Sequence, residues 1–160
     1  MISKLDLPDF SSVLEIINDA AQAYKGVIPS DCWKEPYFSA DELIEEVDWG
    51  VEFYGWTENN VLVGVMGFQQ VKDTTLIRHA YVLTSHQRKG IGEKLLTYLV
   101  NLATTPEVLV GTWKAAWWAI HFYEKHDFKI VPNESRNKLQ KYWTISDRQA
   151  ETSVVLKLKR

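Results

Sequence analysis

The chain has 160 residues, of which 46% are hydrophobic and 24% charged, and its formal net charge is −3. That is enough apolar material for one core in a single domain spanning residues 1–160, and the slightly acidic balance argues against a general nucleic-acid coat, which needs a basic surface. One cysteine, Cys32, excludes an internal disulfide and fits a reducing cytoplasm, while no apolar run is long enough to span a bilayer. The segment from Met1 to Lys25 carries Asp6, Asp9, Glu15 and Asp19, which argues against a cleaved secretory leader.

In chain order, Ile2 to Leu5 reads as a short strand and Pro8 opens a helix to about Tyr24. Its apolar residues Phe10, Val13, Leu14, Ile17, Ala20, Ala21 and Tyr24 follow helical spacing, and proline suits a first turn. Gly26, Pro29 and Pro36 make Lys25 to Phe38 mostly loop. Ser39-Ala40-Asp41-Glu42 is a capping-box sequence that starts a helix to about Val47. Val51–Thr57 and Val61–Val71 flank Glu58-Asn59-Asn60 as a hairpin. Lys72-Asp73 forms the next turn, and Thr75–Leu83 is the third strand of this meander. A helix from Gly90 carries the apolar stripe Ile91, Leu95, Leu96, Leu99 and Leu102. Pro106 closes it, and Glu107–Thr112 is a buried strand. Ala115–Lys125 is another helix, Phe128–Val131 starts a strand, Asn133–Trp143 admits a short helix, and Thr152–Leu158 alternates as a final strand. The order predicts an α/β fold of the mixed, α+β-like kind: one layer of mixed sheet with helices on both faces.

The segment Gln87-Arg88-Lys89-Gly90-Ile91-Gly92 lies between a strand and a helix. The first amides of a helix lack internal acceptors, and the helix dipole adds positive charge there. Glycines at 90 and 92 let an anion approach the backbone, so the turn is an anion site with two cations beside it. A pyrophosphate suits it better than a carboxylate. A Walker loop is excluded because Gly92 is followed by Glu93, Lys94 and Leu95 rather than Lys-Ser/Thr. A dinucleotide fingerprint is excluded because Leu95 stands where the third glycine belongs. The pattern Gln/Arg-x-x-Gly-x-Gly/Ala after an apolar strand fits throughout.

With this turn, the stretch Ala80-Tyr81-Val82-Leu83 before it, the strand Val108–Thr112, and Ala119-Ile120-His121-Phe122-Tyr123-Glu124-Lys125-His126-Asp127-Phe128, the sequence resembles the GNAT superfamily of acetyltransferases. The resemblance is strongest over about residues 75–131. It implies two parallel strands that splay apart to admit the pantetheine arm of acetyl-coenzyme A. Ala80 and Val82 would bond the pantetheine amides, and Gln87, Arg88, Lys89, Gly90, Ile91 and Gly92 would hold the pyrophosphate. It implies an N-acetyltransferase acting by direct attack of a small-molecule or peptide amine, without a metal, and commonly as a homodimer. Neither nucleic acid nor membrane is an expected partner.

Direct attack requires a neutral amine, and at a pKa of about 10.4 only about one Lys-like amine in a thousand is neutral near pH 7. It also requires a donor for the oxyanion, with an amide near Val82 one option, and a proton for the departing thiolate. The resemblance gives the last role to Tyr123, a phenol that stays protonated at neutral pH; the alternative is a core aromatic with its hydroxyl tied down. No base stands where relatives often carry one, since Leu76 and Arg78 occupy those positions. His79, Glu52, Glu151 or a water chain remain as candidates, with strand alternation placing His79 on the opposite face from Arg78, where it reads more readily as a satisfied core histidine than as a base. Arg78 could instead hold an acidic group of the acceptor. Two departures concern the cofactor side: Ala116 replaces an Asn that often helps hold the cofactor, and His126-Asp127 alters a helix C-cap.

Seven tryptophans are many for this length. Trp113, Trp117 and Trp118 are expected near the cofactor, and Trp33, Trp49 and Trp56 near the acceptor. The four histidines show no metal-ligand spacing. The missing base keeps open a coenzyme A-binding sensor or regulator without turnover, and the phosphate turn alone keeps open a different nucleotide-binding domain. The loops Lys25–Phe38 and Asn133–Arg148, expected to shape the acceptor side, carry no decodable motif.

Overall fold

A computed structural model describes residues 1–131, 135–143 and 145–160. Seven strands form one sheet: β1 (Ile2–Lys4), β2 (Glu52–Glu58), β3 (Val61–Val71), β4 (Thr74–Val82), β5 (Glu107–Trp113), β6 (Lys129–Ile130) and β7 (Ser153–Lys159), in the order β1-β2-β3-β4-β5-β7-β6. All neighbours are antiparallel except β4 and β5. The helices are α1 (Phe10–Ala20), α2 (Ala40–Asp48), α3 (Ile91–Leu102), α4 (Trp117–Lys125), α5 (Ser135–Tyr142) and α6 (Asp147–Glu151). The mixed single-layer sheet expected from the element order is the observed one. Positions 132–134 and 144, within the expected acceptor-side segment, lie outside the described residues.

Local chemistry accounts for most boundaries. Ser39 Oγ accepts from the Glu42 amide and the Glu42 carboxylate accepts from the Ser39 amide, both at 3.2 Å, which completes the capping box of α2. Asn59 and Asn60 sit at φ of 50° and 65°, the left-handed pair that a two-residue hairpin turn requires. The helix expected from Pro8 to Tyr24 is α1 with a 3-10 turn at each end, Leu7–Asp9 and Ala21–Tyr24. The Ala115–Lys125 helix begins later, at Trp117, because Ala116 has left the helical region at ψ 66°. Asp127 takes the left-handed position after α4 at φ 70°, and the Phe128 amide returns to the Tyr123 carbonyl at 3.1 Å. Asp127 therefore fills the C-cap role for which glycine is the usual residue.

The sheet separates two bodies of core. Val13, Ile16 and Ile17 of α1 and Leu43 of α2 pack against Phe53 and Val65 on one face. Leu139 and Tyr142 of α5 and Ala150 of α6 cover Leu76, Leu109 and Val155. On the other face, Ile91, Leu95, Leu96 and Leu99 of α3 join Tyr123 of α4 over Met66, Ile77, Val108 and Val110. The apolar stripe of α3 is buried as its spacing required, apart from Leu102, which is exposed.

Two irregularities in β4 position everything that follows. Pairing with β5 covers only Thr75, Leu76 and Ile77 against Val108, Leu109 and Val110. Past that point β4 stays paired to β3 as far as Val82, and β5 stays paired to β7 as far as Trp113. Each strand is thus held on its outer edge while the inner edges part. The second irregularity is a bulge: Tyr81 pairs with Val65 and Arg78 with Gly67, so His79 and Ala80 together stand opposite Met66. His79 takes up the extra residue at φ 51°. A Cβ on Gly67 would lie 2.9 Å from the Arg78 carbonyl oxygen, so the facing strand can come this close only where it has no side chain.

Candidate active site

A groove of about 810 Å³ runs along the α3 and α4 side of the open strands. Its walls include Ala80 and Val82 of β4, the turn residues Gln87, Arg88, Gly90, Ile91 and Gly92, and Tyr123 of α4. Of the residues expected to meet the cofactor, Lys89 alone is not part of the wall; it is exposed on the outer side of the turn. The Leu83 amide donates to the Val63 carbonyl on the β3 side. Strand alternation therefore turns the peptide groups of Val82, and of Ala80 before it, toward the open side.

The turn is shaped by its backbone. Arg88 and Gly90 lie at φ 65° and 79°, and Gly90 is the N-cap of α3. The first intrahelical bond runs from the Lys94 amide to the Gly90 carbonyl at 3.0 Å. The preceding amides of the first turn therefore have no helical acceptor, and they lie at the positive end of the helix dipole. Left-handed residues beside helical ones form a concave nest of amides suited to an anion. Two contacts hold the turn in place. Asp19 Oδ2, near the end of α1, accepts from the Thr84 amide at 2.8 Å and from Thr84 Oγ1 at 3.0 Å. Gln87 Nε2 donates to the Val82 carbonyl at 3.1 Å.

Tyr123 is 5% exposed, with its ring edge-on to Phe122 and Phe128. Among the described residues its hydroxyl has no hydrogen-bond partner, and the residue lies on the groove wall. Burial, reinforced by Tyr24, raises its pKa well above the ordinary phenol value, so the phenol stays protonated at physiological pH. Ala116 is fully buried beside Tyr24 and Trp113 and does not reach the groove.

A second cavity of about 380 Å³ opens on the opposite face, between α2, the Lys25–Phe38 loop and the α5–α6 segment. Tyr24 and Tyr81 line both cavities, which therefore meet at the gap between β4 and β5. Their hydroxyls are 3.3 Å apart. The Tyr37 hydroxyl accepts from Trp113 Nε1 at 2.8 Å. Burial raises the pKa of Tyr24, Tyr37 and Tyr81 alike. Trp33 stacks on Tyr37 and Trp118 on Tyr24. Trp49 lines the second cavity, and Trp117 and Trp118 line the groove. Trp56 is elsewhere, on β2, with the Lys94 ammonium 4.7 Å from its ring centroid.

The floor of the second cavity corrects the alternation argument for His79. The bulge swings His79 onto the same face as Arg78, and both reach one carboxylate oxygen of Glu46: His79 Nε2 at 2.7 Å and Arg78 Nη2 at 3.0 Å. Arg78 Nη1 donates to Gln69 Oε1 at 3.1 Å, and Gln69 Nε2 to the Trp49 carbonyl at 3.0 Å. Burial pushes the Glu46 carboxyl up, but the attraction and hydrogen bond of His79 and the charge of Arg78 outweigh it and leave the pKa below the ordinary value. Glu46 had no sequence signal, since it reads as one more polar residue on α2. The other two carboxylates considered as bases belong to neither cavity. Glu52 pairs with Lys4 at the β1–β2 edge, and Glu151 lies on α6 beside Arg148. Among the described residues, no three of His, Cys, Asp or Glu are grouped closely enough to hold a metal ion, and no helix is long and apolar enough to cross a membrane.

Comparison with known proteins bears on this geometry. A family model described as an acetyltransferase (GNAT) domain matches residues 49–130, which hold β4, the Gln87–Gly92 turn, α3, β5 and α4. Among solved structures, the PaiA N-acetyltransferase of Thermoplasma acidophilum, in complex with coenzyme A, aligns with a TM-score of 0.75 at 18% identity, covering 100% of this chain and 98% of that one. A GNAT family acetyltransferase from Elizabethkingia anophelis with acetyl-coenzyme A bound has a TM-score of 0.67 at 18% identity over 100% and 97%. A ribosomal-protein-alanine N-acetyltransferase from Brucella melitensis has a TM-score of 0.71 at 14% identity over 100% and 99%. At these identities the likeness is one of fold. No curated protein matches the chain by sequence.

Proposed function

The chain belongs to the GNAT family of acetyltransferases, and on that premise we propose that it transfers the acetyl group of acetyl-coenzyme A to a primary amine of a small molecule or peptide. The observation that carries this reading is the parting of β4 and β5 after Ile77 and Val110, directly ahead of the uncapped first turn of α3. An open strand edge offers peptide groups to an extended amide chain much as an added strand would. Ala80 and Val82 supply those groups to pantetheine. The amides from Arg88 to Gly92 hold the pyrophosphate, with the Arg88 charge on the groove wall and the Lys89 charge just outside it.

The acceptor nitrogen attacks the thioester carbonyl carbon from the side of the second cavity. The C–N bond forms, the C–S bond breaks, the thiolate takes its proton from Tyr123, and the proton that the nitrogen sheds on becoming an amide restores the Tyr123 phenol. The Tyr123 phenol enters the step protonated, and its place on the groove wall is what recommends it for this role. In a Tyr123→Phe variant, turnover falls while acetyl-coenzyme A affinity stays nearly constant. Equal turnover in the variant removes Tyr123 from the mechanism.

A further inference from the structure

The size and lining of the second cavity restrict the amine it can admit. Its volume of about 380 Å³ is near the lower end of the roughly 300–1,000 Å³ of small-molecule sites. Two covers close over it. Cys32 of the Lys25–Phe38 loop and Gln149 of α6 line it. Their chain neighbours Asp31 and Arg148 join in a two-pronged ion pair, Arg148 Nε to Asp31 Oδ2 at 2.9 Å and Arg148 Nη2 to Asp31 Oδ1 at 3.2 Å. A cavity of this size under tied covers suits a small molecule better than a protein segment. Rings supply much of its wall: Tyr37 and Phe38 from the loop before α2, Trp49 from the end of α2, Tyr81 from β4, Trp113 from β5 and Trp143 after α5. Trp113 Nε1 already donates to the Tyr37 hydroxyl, and among the described residues no buried side-chain nitrogen or oxygen lacks a partner. Such a wall matches an apolar, ring-sized body rather than one rich in hydroxyls.

The charges of the lining are already matched to one another. Arg78, the cation that could have held an acidic group, has its guanidinium engaged by Glu46 and Gln69 and its side chain 9% exposed. Glu46 is in turn held by Arg78 and His79, and Lys34 pairs with Glu42. Glu45 is exposed on α2, where water screens its charge. Neither a carboxylate nor a second ammonium on the acceptor meets an unpaired buried counter-charge, and burying either one without a partner is costly. The amine that reacts has different surroundings. Tyr24 and Tyr81 line both cavities, with their hydroxyls 3.3 Å apart. Phenol oxygens accept hydrogen bonds from an amine or ammonium, and aromatic rings attract a cation to their faces.

Resting on the acetyl-transfer reading above, we propose that the acceptor is an arylalkylamine: a primary amine on a short apolar stem that ends in one ring or an indole, with no carboxylate and no second ammonium. The ring occupies the second cavity among Tyr37, Phe38, Trp49 and Trp113. The amino end lies at the junction beside Tyr24 and Tyr81, where it reaches the thioester. The products are the N-acetylated arylalkylamine and free coenzyme A thiol.

The test measures kcat/KM of the full chain with acetyl-coenzyme A and phenethylamine, tryptamine, phenylalanine, phenylalanine methyl ester, spermidine, n-butylamine and a peptide bearing a free α-amine. The expected result is that phenethylamine or tryptamine exceeds phenylalanine, spermidine and the peptide by roughly 100-fold or more. Masking the carboxylate in the methyl ester recovers most of the loss seen with phenylalanine. Trp49, 44% exposed, can be truncated without opening the core. In Trp49→Ala the KM for phenethylamine rises roughly tenfold, and the KM for n-butylamine, which has no ring, rises much less. Spermidine, phenylalanine or the peptide equalling or exceeding both arylalkylamines overturns the assignment while acetyl transfer stands. So does an equal rise in KM for phenethylamine and n-butylamine in Trp49→Ala. A methyl ester as poor as phenylalanine overturns the charge argument. A wild-type protein that binds acetyl-coenzyme A and acetylates none of these amines overturns the acetyl-transfer reading itself, and this assignment with it.

Discussion

Gly67→Ala isolates the bulge that creates the acceptor side. An added Cβ lies 2.9 Å from the Arg78 carbonyl oxygen, 3.3 Å from Val51 Cγ1 and 3.4 Å from the Arg78 carbonyl carbon. The nearest of these is backbone, so no rotamer change relieves it. Either β3 and β4 separate at this pair or the bulge shifts, and both displace Arg78 and His79. Overpacking of this kind costs about 1–3 kcal/mol. For a chain of this size, a loss of about 2 kcal/mol lowers the melting temperature by roughly 4–8 °C. Urea titration and thermal melts measure the stability, and acetyl-coenzyme A titration with steady-state turnover measures the site. The expected outcome is a destabilised protein whose kcat falls and whose acetyl-coenzyme A affinity weakens as well, because Ala80 on the groove wall belongs to the same bulge. Unchanged stability together with unchanged turnover refutes the claim that the bulge shapes the acceptor side.

Gly92→Ala separates stability from binding. The new methyl meets only the Phe122 ring, at 3.5 and 3.6 Å, and alanine favours a helix by at most about 1 kcal/mol over glycine, so urea midpoints hold or rise. Coenzyme A affinity falls tenfold or more, about 1.4 kcal/mol, because the methyl enters the first turn of the groove wall; calorimetric titration reads this directly. Glu46→Gln leaves Arg78, whose side chain is 9% exposed, without its counter-charge, and costs about 3–5 kcal/mol at pH 7 by chemical denaturation. The folded pKa of Glu46 lies below the reference 4.5, so its contribution is complete above that value and is lost as pH falls through the folded pKa. The gap between wild type and variant therefore narrows as pH falls below 4.5; a gap independent of pH contradicts the ion-pair account. Asp19→Ala releases Thr84 and is expected to weaken coenzyme A binding through the turn, which calorimetric titration with coenzyme A measures.

Elements marked by local chemistry were legible in the sequence. The capping box at Ser39, the Asn59-Asn60 hairpin, the α3 stripe and the turn at Gln87–Gly92 each depend on residues within a few positions of one another, and each formed where its pattern indicated. What depended on partners far along the chain was not legible. Alternation placed His79 away from Arg78 because nothing in Arg78-His79-Ala80 marks a bulge. The sign was Gly67 on the facing strand, since a glycine inside an apolar strand often marks a close backbone approach. Glu46 reached the site only because α2 packs across β4, 33 residues on. Tyr24 read as one more core position at the end of the first helix, and its 3-10 turn carries it to the junction of the two cavities. Trp56 was assigned to the acceptor side from its place in the chain, but its strand runs at the far side of the sheet.

The most direct measurement follows the acetyl group itself. Purified protein is incubated with acetyl-coenzyme A and a broad panel of amines, with mass spectrometry of the products and quantitation of free thiol in parallel. The account predicts at least one acetylated amine, formed in proportion to the thiol released and over many turnovers. Tight binding of acetyl-coenzyme A with no acetylated amine contradicts it and makes the chain a holding module. Stronger thermal protection by ATP or NAD than by coenzyme A contradicts the reading of Gln87–Gly92 on which the account began.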